Sequence, residues 1–238
     1  MNIAIIIAGG VGLRMGGDIP KQYLLVGGKP IILYCVQAFE KHEAIDAIVI
    51  VASEEWQAFI REWLDKEHIT KFVGFACGGS SRQASILNGL TVACRGEVAP
   101  TDVVVVHDAV RPNVSADIIT ECIVLAKEAD GAMPVLPVKD TIYQSGNGKT
   151  VDSLLNRDEL YAGQAPESFR LGKYYAIHQS LSPQEIDMVR GSSEIAFNYG
   201  LDIRLFEGDE NNYKITTRVD YDKFVKQVEE EKQRGRVR

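Results

Sequence analysis

The sequence predicts an α/β fold, a doubly wound and mostly parallel sheet flanked by helices, with a protruding β-arm. Three observations predict it. Apolar runs alternate with helical patterns along most of the 238 residues. Those runs are continuous rather than alternating, the pattern of strands covered on both faces. A turn-rich stretch without helical period then interrupts the alternation after Val138. The chain is expected to form one domain, with residues 139–161 as the arm.

The elements follow in order. IAIIIA (3–8), AIDAIVIVAS (44–53), KFVGFACG (71–78), DVVVVHDA (102–109) and AMPVLPV (132–138) read as strands buried on both faces. Between them, PIILYCVQAFEKH, EEWQAFIREWLDKEH, SSRQASILNGLTVACRG and SADIITECIVLAKEAD carry apolar residues at helical spacing. The third and fourth begin with serine near an N-cap position. Right-handed crossovers through these helices give a Rossmann-like sheet, whose ligands bind beyond the carboxyl ends of the strands. In the arm, SGNG is a turn signal between two short alternating segments. Such an arm packs most simply against a second subunit. Two helical stretches (170–181 and about 183–199), a strand at DIRLFEG and a charged last helix, YDKFVKQVEEEKQRG, complete the chain.

Composition bounds the function. A net charge of −7 speaks against a broad basic surface for nucleic acid. Cys35, Cys77, Cys94 and Cys122 lack CxxC spacing and read as reduced core thiols of a cytoplasmic protein. The opening MNIAIIIAGG lacks a basic leader, and its apolar run is too short to span a bilayer. No membrane partner is expected.

The first strand runs into AGGVGLRMGGDIPKQY, with Gly9, Gly10, Gly12, Gly16 and Gly17 in nine residues, Arg14 inside the loop and Lys21 after it. Glycines let backbone N–H groups close on phosphate oxygens. A Walker loop requires GxxxxGK[ST], which is absent here. The dinucleotide fingerprint GxGxxG is only approximated, as GxGxxxG, and Ala52-Ser53 ends the second strand where a ribose-reading residue belongs. A loop that wraps a nucleoside triphosphate accounts for both cations. An NAD(P)-dependent oxidoreductase and a non-catalytic nucleotide-binding regulator remain as alternatives.

AGGVGLRMGGDIPKQY, VHDAVRP, VKDTI, GQAPESF and YKITTRVD occur in that order over nearly the whole chain. Together they resemble the cytidylyltransferases that couple CTP to a polyol phosphate, a family that includes ribitol-5-phosphate and 2-C-methyl-D-erythritol 4-phosphate cytidylyltransferases. The resemblance implies attack of a phosphate oxygen on the α-phosphorus of CTP, with pyrophosphate leaving. It assigns catalysis to Arg14, Lys21 and Lys214. It assigns CTP to Ala8, Gly9, Gly10, Gly12, Arg14 and Lys21, with the base against Gly79, Ser80, Arg82 and Ser85. The polyol phosphate falls to Asp108, Arg111, Thr141, Arg157 and Lys214, and Mg²⁺ to Asp108. The family's arm reaches into the neighbouring subunit, so a homodimer is implied. Outside its motif Lys214 is an ordinary surface lysine, and Arg157 a salt-bridge partner. His107 reads as structural, and the acidic run at 229–231 as the solvated face of the last helix.

The chain departs from the family's pattern in the base-binding stretch and at two later points, the last of which lies near the polyol pocket in the family. Ser80 stands where the family usually has aspartate, Ala165 replaces the threonine of Gln-Thr-Pro, and Arg190-Gly191-Ser192 replaces a Thr-Asp pair. AGG, the tryptophan of SEEW, GQ before APESF, and KITT resemble the ribitol-5-phosphate branch, and this reading is preferred over methylerythritol phosphate.

Overall fold

The computed structural model describes residues 1–10 and 19–235. Among these, an eight-stranded sheet carries the fold. Its centre is β1 (Asn2–Ile7), which runs parallel to β4 (Ala47–Val51) on one side and β6 (Val103–Asp108) on the other. One short ladder stands apart from this sheet, β2 (Leu25–Val26) against β3 (Lys29–Pro30). The order continues outward from β4 to β5 (Phe72–Ala76). Beyond β6 it passes through β11 (Glu167–Arg170) to β7 (Gly131–Pro137), which also pairs with β10 (Tyr161–Gly163) and β12 (Ile203–Glu207).

The apolar runs of β1, β4 and β6 are split residue by residue between two faces, as the pleat requires. Ala4, Ile6, Ile48, Ile50, Val103 and Val105 pack beneath α1 (Ile31–Lys41), α2 (Glu54–Lys66) and α4 (Ala116–Glu128). Ile3, Ile5, Val49, Val51, Val104 and Val106 pack beneath α3 (Arg82–Ala93), α5 (Leu171–Ser180) and α7 (Ser192–Asn198). Each such fully buried aliphatic side chain contributes about 1.5–3 kcal/mol. Gly89 lets α3 come down on the sheet, since a Cβ there would sit 2.7 Å from Ile5 Cγ2. A third cluster joins Val26, Ile31, Val110 and Ile215 to Phe224 and Val228 of α8 (Arg218–Gln233).

The expected doubly wound sheet and its four helices are present, and the expected serine caps are made. Ser81 accepts from the Ala84 N–H and Ser115 from the Ile118 N–H. Four expectations need correction. β5 is an edge strand and half exposed rather than buried on both faces. Strand β11, which no apolar run in the sequence predicts, inserts antiparallel between β6 and β7. The helix expected over 183–199 is two, α6 (Pro183–Met188) and α7, divided at Val189–Gly191. Of the four thiols, all free, Cys35 and Cys122 are core residues, whereas Cys77 is exposed and Cys94 half-buried. The arm holds the short hairpin of β8 (Tyr143–Gln144) and β9 (Ser153–Leu154) across the SGNG turn.

Candidate active site

The carboxyl ends of the central strands meet at one place. Ile7 stands beside Val51 on one side and Asp108 on the other, so the glycine loop leaves β1 next to the end of β6. Gln22 and Tyr23 hold the mouth of that loop from a 3-10 turn over Lys21–Tyr23. The Gln22 amide donates to the carbonyls of Ala8 (2.6 Å) and Gly10 (2.7 Å), and the Tyr23 hydroxyl to Ala8 (3.2 Å). Tyr23 is itself stacked on Trp56 at 4.4 Å. Lys21 is buried at the start of this turn. Gly12 and Arg14 lie outside the described residues.

The stretch expected to face the base lies alongside. A Cβ on Gly9 would come within 3.4 Å of the Gly78 Cα, so two glycine backbones touch here. Gly79 admits no side chain, since a Cβ would stand 2.5 Å from that of Ala84. The Ser85 hydroxyl accepts from the Gly79 N–H (2.9 Å) and donates to the Ser81 carbonyl (2.9 Å), fixing the turn into α3. Ser80 donates instead to Asp187 of α6 (2.8 Å).

Asp108 is the hub. It is 7% exposed, and three cations converge on its carboxylate. Arg82 Nη2 lies 3.1 Å from Oδ1, Lys214 Nζ 2.9 Å from Oδ2, and Arg111 Nε 3.5 Å from Oδ2. Each arrives for a local reason. Arg82 is the first residue of α3, placed by the Ser81 cap. Arg111 turns back because its N–H donates to the Asp108 carbonyl (3.0 Å), and its Nη1 is tied to the Asn212 carbonyl (2.7 Å). Lys214 precedes Ile215, whose N–H donates to the Val110 carbonyl (2.9 Å) and whose side chain is wholly buried in the α8 cluster.

The electrostatics follow. Burial alone would raise the Asp108 carboxyl, but Arg82, then Lys214, then Arg111 hold it well below the usual carboxylate range. For Arg82, burial works against the charged form, and Asp108 and Glu167 more than offset it. Arg111 goes the other way, burial prevailing over Asp108. His107, wholly buried, donates from Nε2 to the Arg111 carbonyl at 3.0 Å, and burial pulls it from 6.5 down to about 4. It is a neutral structural residue, as the sequence suggested.

Above Asp108 opens a cavity of about 400 Å³. Asp108, Arg111 and Lys214 line it, all three expected on the acceptor side. Arg82, expected beside the base, lines it too. So do Gln164, Ala165, Glu167, Arg190 and Ser193. Gln164 ties the Gln-Ala-Pro bend to the Asp209–Asn212 loop through its amide, which donates to the Asp209 carbonyl (2.9 Å). Glu167 accepts from the Ser193 N–H (2.9 Å) and hydroxyl (2.5 Å) and stands 3.7 Å from Arg82. Gln22, Glu167 and Ser193 carry no signal of their role in the sequence, although Gln22 and Glu167 fall within AGGVGLRMGGDIPKQY and GQAPESF. Thr141 and Arg157 are exposed on the arm and do not line the cavity of their own chain. Arg157 donates there to the Lys139 carbonyl (3.2 Å).

A glycine loop and a tri-cationic carboxylate at adjacent strand ends suit phosphate chemistry, and the comparisons with known proteins identify which. The family model for IspD, 2-C-methyl-D-erythritol 4-phosphate cytidylyltransferase, matches residues 2–225. The chain belongs to this cytidylyltransferase family. A 2-C-methyl-D-erythritol 4-phosphate cytidylyltransferase of Geobacter metallireducens is 36% identical over 215 residues, covering 90% of this chain and 91% of the relative. A ribitol-5-phosphate cytidylyltransferase of Streptococcus agalactiae is 34% identical over 227 residues, covering 94% of each. Among solved structures, the 2-C-methyl-D-erythritol 4-phosphate cytidylyltransferase of Francisella tularensis superposes with a TM-score of 0.77 at 29% identity, over 94% of this chain and 99% of that one. The chain is thus a nucleotidyltransferase, and the oxidoreductase alternative falls away. No helix among the described residues is long and apolar enough to cross a membrane.

Proposed function

We propose that this protein transfers CMP from CTP to a polyol phosphate, with D-ribitol 5-phosphate as the acceptor and CDP-ribitol and pyrophosphate as products. The observation that carries the reading is the convergence of Arg82, Arg111 and Lys214 on Asp108 beneath the cavity. The acceptor phosphate has its second pKa near 6, so at neutral pH it attacks already ionised and requires no general base. One of its oxygens bonds to the α-phosphorus, the bond to the bridging β-phosphate oxygen breaks, and pyrophosphate leaves. What the reaction requires is charge compensation.

Arg14, Lys21 and Lys214 supply it in this reading. Ala8, Gly9, Gly10, Gly12, Arg14 and Lys21 hold the triphosphate, and Gly79, Ser80, Arg82 and Ser85 flank the cytosine. Asp108, Arg111 and Lys214 face the acceptor, joined by Thr141 and Arg157 from the arm of a second copy in a homodimer. The exposed apolar side chains Tyr143, Val151 and Leu154 on the arm support that pairing. Sedimentation at the working concentration tests it, and an active monomer would remove it. Among the described residues no cluster of three or more potential ligands forms a protein-only metal site. Asp108 is the carboxylate that would hold a Mg²⁺ ion bound mainly by phosphates, and it would give up one of its three cations to do so. Such an ion neutralises phosphate charge.

A second acceptor, 2-C-methyl-D-erythritol 4-phosphate, is favoured by the relatives of that name at 36% identity. The two acceptors are separated by kcat/KM measured side by side with CTP. D-ribitol 5-phosphate should lead; a lead for the methylerythritol phosphate hands the acceptor to the second reading.

A further inference from the structure

Among the described residues, the cavity over Asp108 contains one cation that its cluster does not use. Arg82, Arg111 and Lys214 all contact Asp108. Arg190, which lines the same cavity, does not. Its guanidinium makes no hydrogen bond or ion pair among the described residues. The cavity's carboxylates are meanwhile engaged elsewhere. Asp108 faces its three cations, and Glu167 is held by Ser193 and Arg82. Glu194 Oε2 accepts from the backbone N–H groups of Arg190 (2.8 Å) and Gly191 (3.3 Å) as it caps α7. Glu194 therefore pins the Arg190 backbone while the exposed side chain is left to the cavity.

Such an arrangement leaves Arg190 available to an anion that enters the cavity. A phosphate monoester carries about two negative charges at neutral pH, and a guanidinium meets it with two parallel N–H donors. We infer that Arg190 binds the phosphate of the acceptor and makes the site select phosphate monoesters over uncharged polyols. The inference rests on the proposed function, and it adds an anion-binding residue within the same chain to those that the arm supplies.

The test uses the full chain with R190Q, which keeps a donor and loses the charge, and R190K, which keeps the charge. R190Q should raise the acceptor KM by about tenfold or more, in line with loss of one charge-assisted contact. The CTP KM should stay within about twofold, and R190K should recover part of the loss. An unchanged acceptor KM in R190Q overturns the inference, as does an equal rise in both KM values. With the nucleotide site saturated by CTP, broadening of the inorganic phosphate ³¹P signal by the protein gives a readout independent of acceptor turnover. Broadening by the wild-type chain that R190Q loses supports Arg190 even where no polyol phosphate reacts, the outcome that would sink the proposed function alone. No broadening by the wild-type chain, or equal broadening by R190Q, overturns the inference.

Discussion

Asp108 shows how much one side chain depends on its surroundings. A carboxylate 7% exposed would be costly alone; three cations stabilise it, and in turn it holds them in one place. Lys21 is the residue whose assigned role is sharpest. Lys21→Ala should lower turnover by roughly 10²–10³, the scale of removing one donor to a developing oxyanion. Thermal unfolding of the same variant separates that loss from a loss of fold, and near-wild-type turnover would remove Lys21 from the chemistry. His107 makes a different prediction. Its folded pKa of about 4 lies below the unfolded value of 6.5, so between the two the unfolded chain binds the extra proton. Stability should therefore fall as pH drops from about 6.5 towards 4, by up to ~3 kcal/mol from this group. A His107→Gln variant should flatten that dependence in urea titrations; an unchanged slope would exclude His107 as its source.

At the scale of elements, Lys214 is positioned from a distance by α8. Thr217 caps that helix by accepting from the Asp220 N–H (3.3 Å), and Asp220 accepts in return from the Thr217 N–H (2.8 Å). Phe224 and Val228 of α8 then bury Ile215, the neighbour of Lys214. Thr217→Ala should cost about 1 kcal/mol in urea unfolding, the usual value of a lost cap. A loss near zero would mean that the Asp220 contacts alone hold the helix start. The elements nearest the site were legible from local signals. Continuous Val and Ile runs gave β1, β4 and β6, and Ser81 and Ser115 marked the helix starts that the structure makes. β11 was not legible. Only four residues long, it is held by pairing to β6 and β7 rather than by any pattern of its own. The break at Val189–Gly191 carries no clear local signal for a similar reason. Glu194 capping α7 is a capping arrangement without a Ser or Thr at the N-cap, where Gly191 stands.

For the whole molecule, the sequence motifs and the fold converge on one arrangement. The glycine loop, VHDAVRP and YKITT lie far apart in the chain. Three neighbouring contacts join them: β1 to β6, the Arg111 turn, and the Ile215–Val110 hydrogen bond. Their order in the sequence made the family legible, and the pairing of β1 with β6 explains why. The meeting of Arg82 with Asp108, Glu167 and Ser192 was not legible, because it depends on β11 and α7 being brought to the same cavity. The reaction proposed for this site is CMP transfer to a polyol phosphate. The most direct measurement is ³¹P NMR of the protein with CTP, Mg²⁺ and D-ribitol 5-phosphate. That reaction predicts that pyrophosphate and a phosphodiester-linked diphosphate signal grow together as the CTP and ribitol phosphate signals decline. Unchanged CTP with this and with the methylerythritol acceptor, or release of pyrophosphate without any new diphosphate, would contradict it.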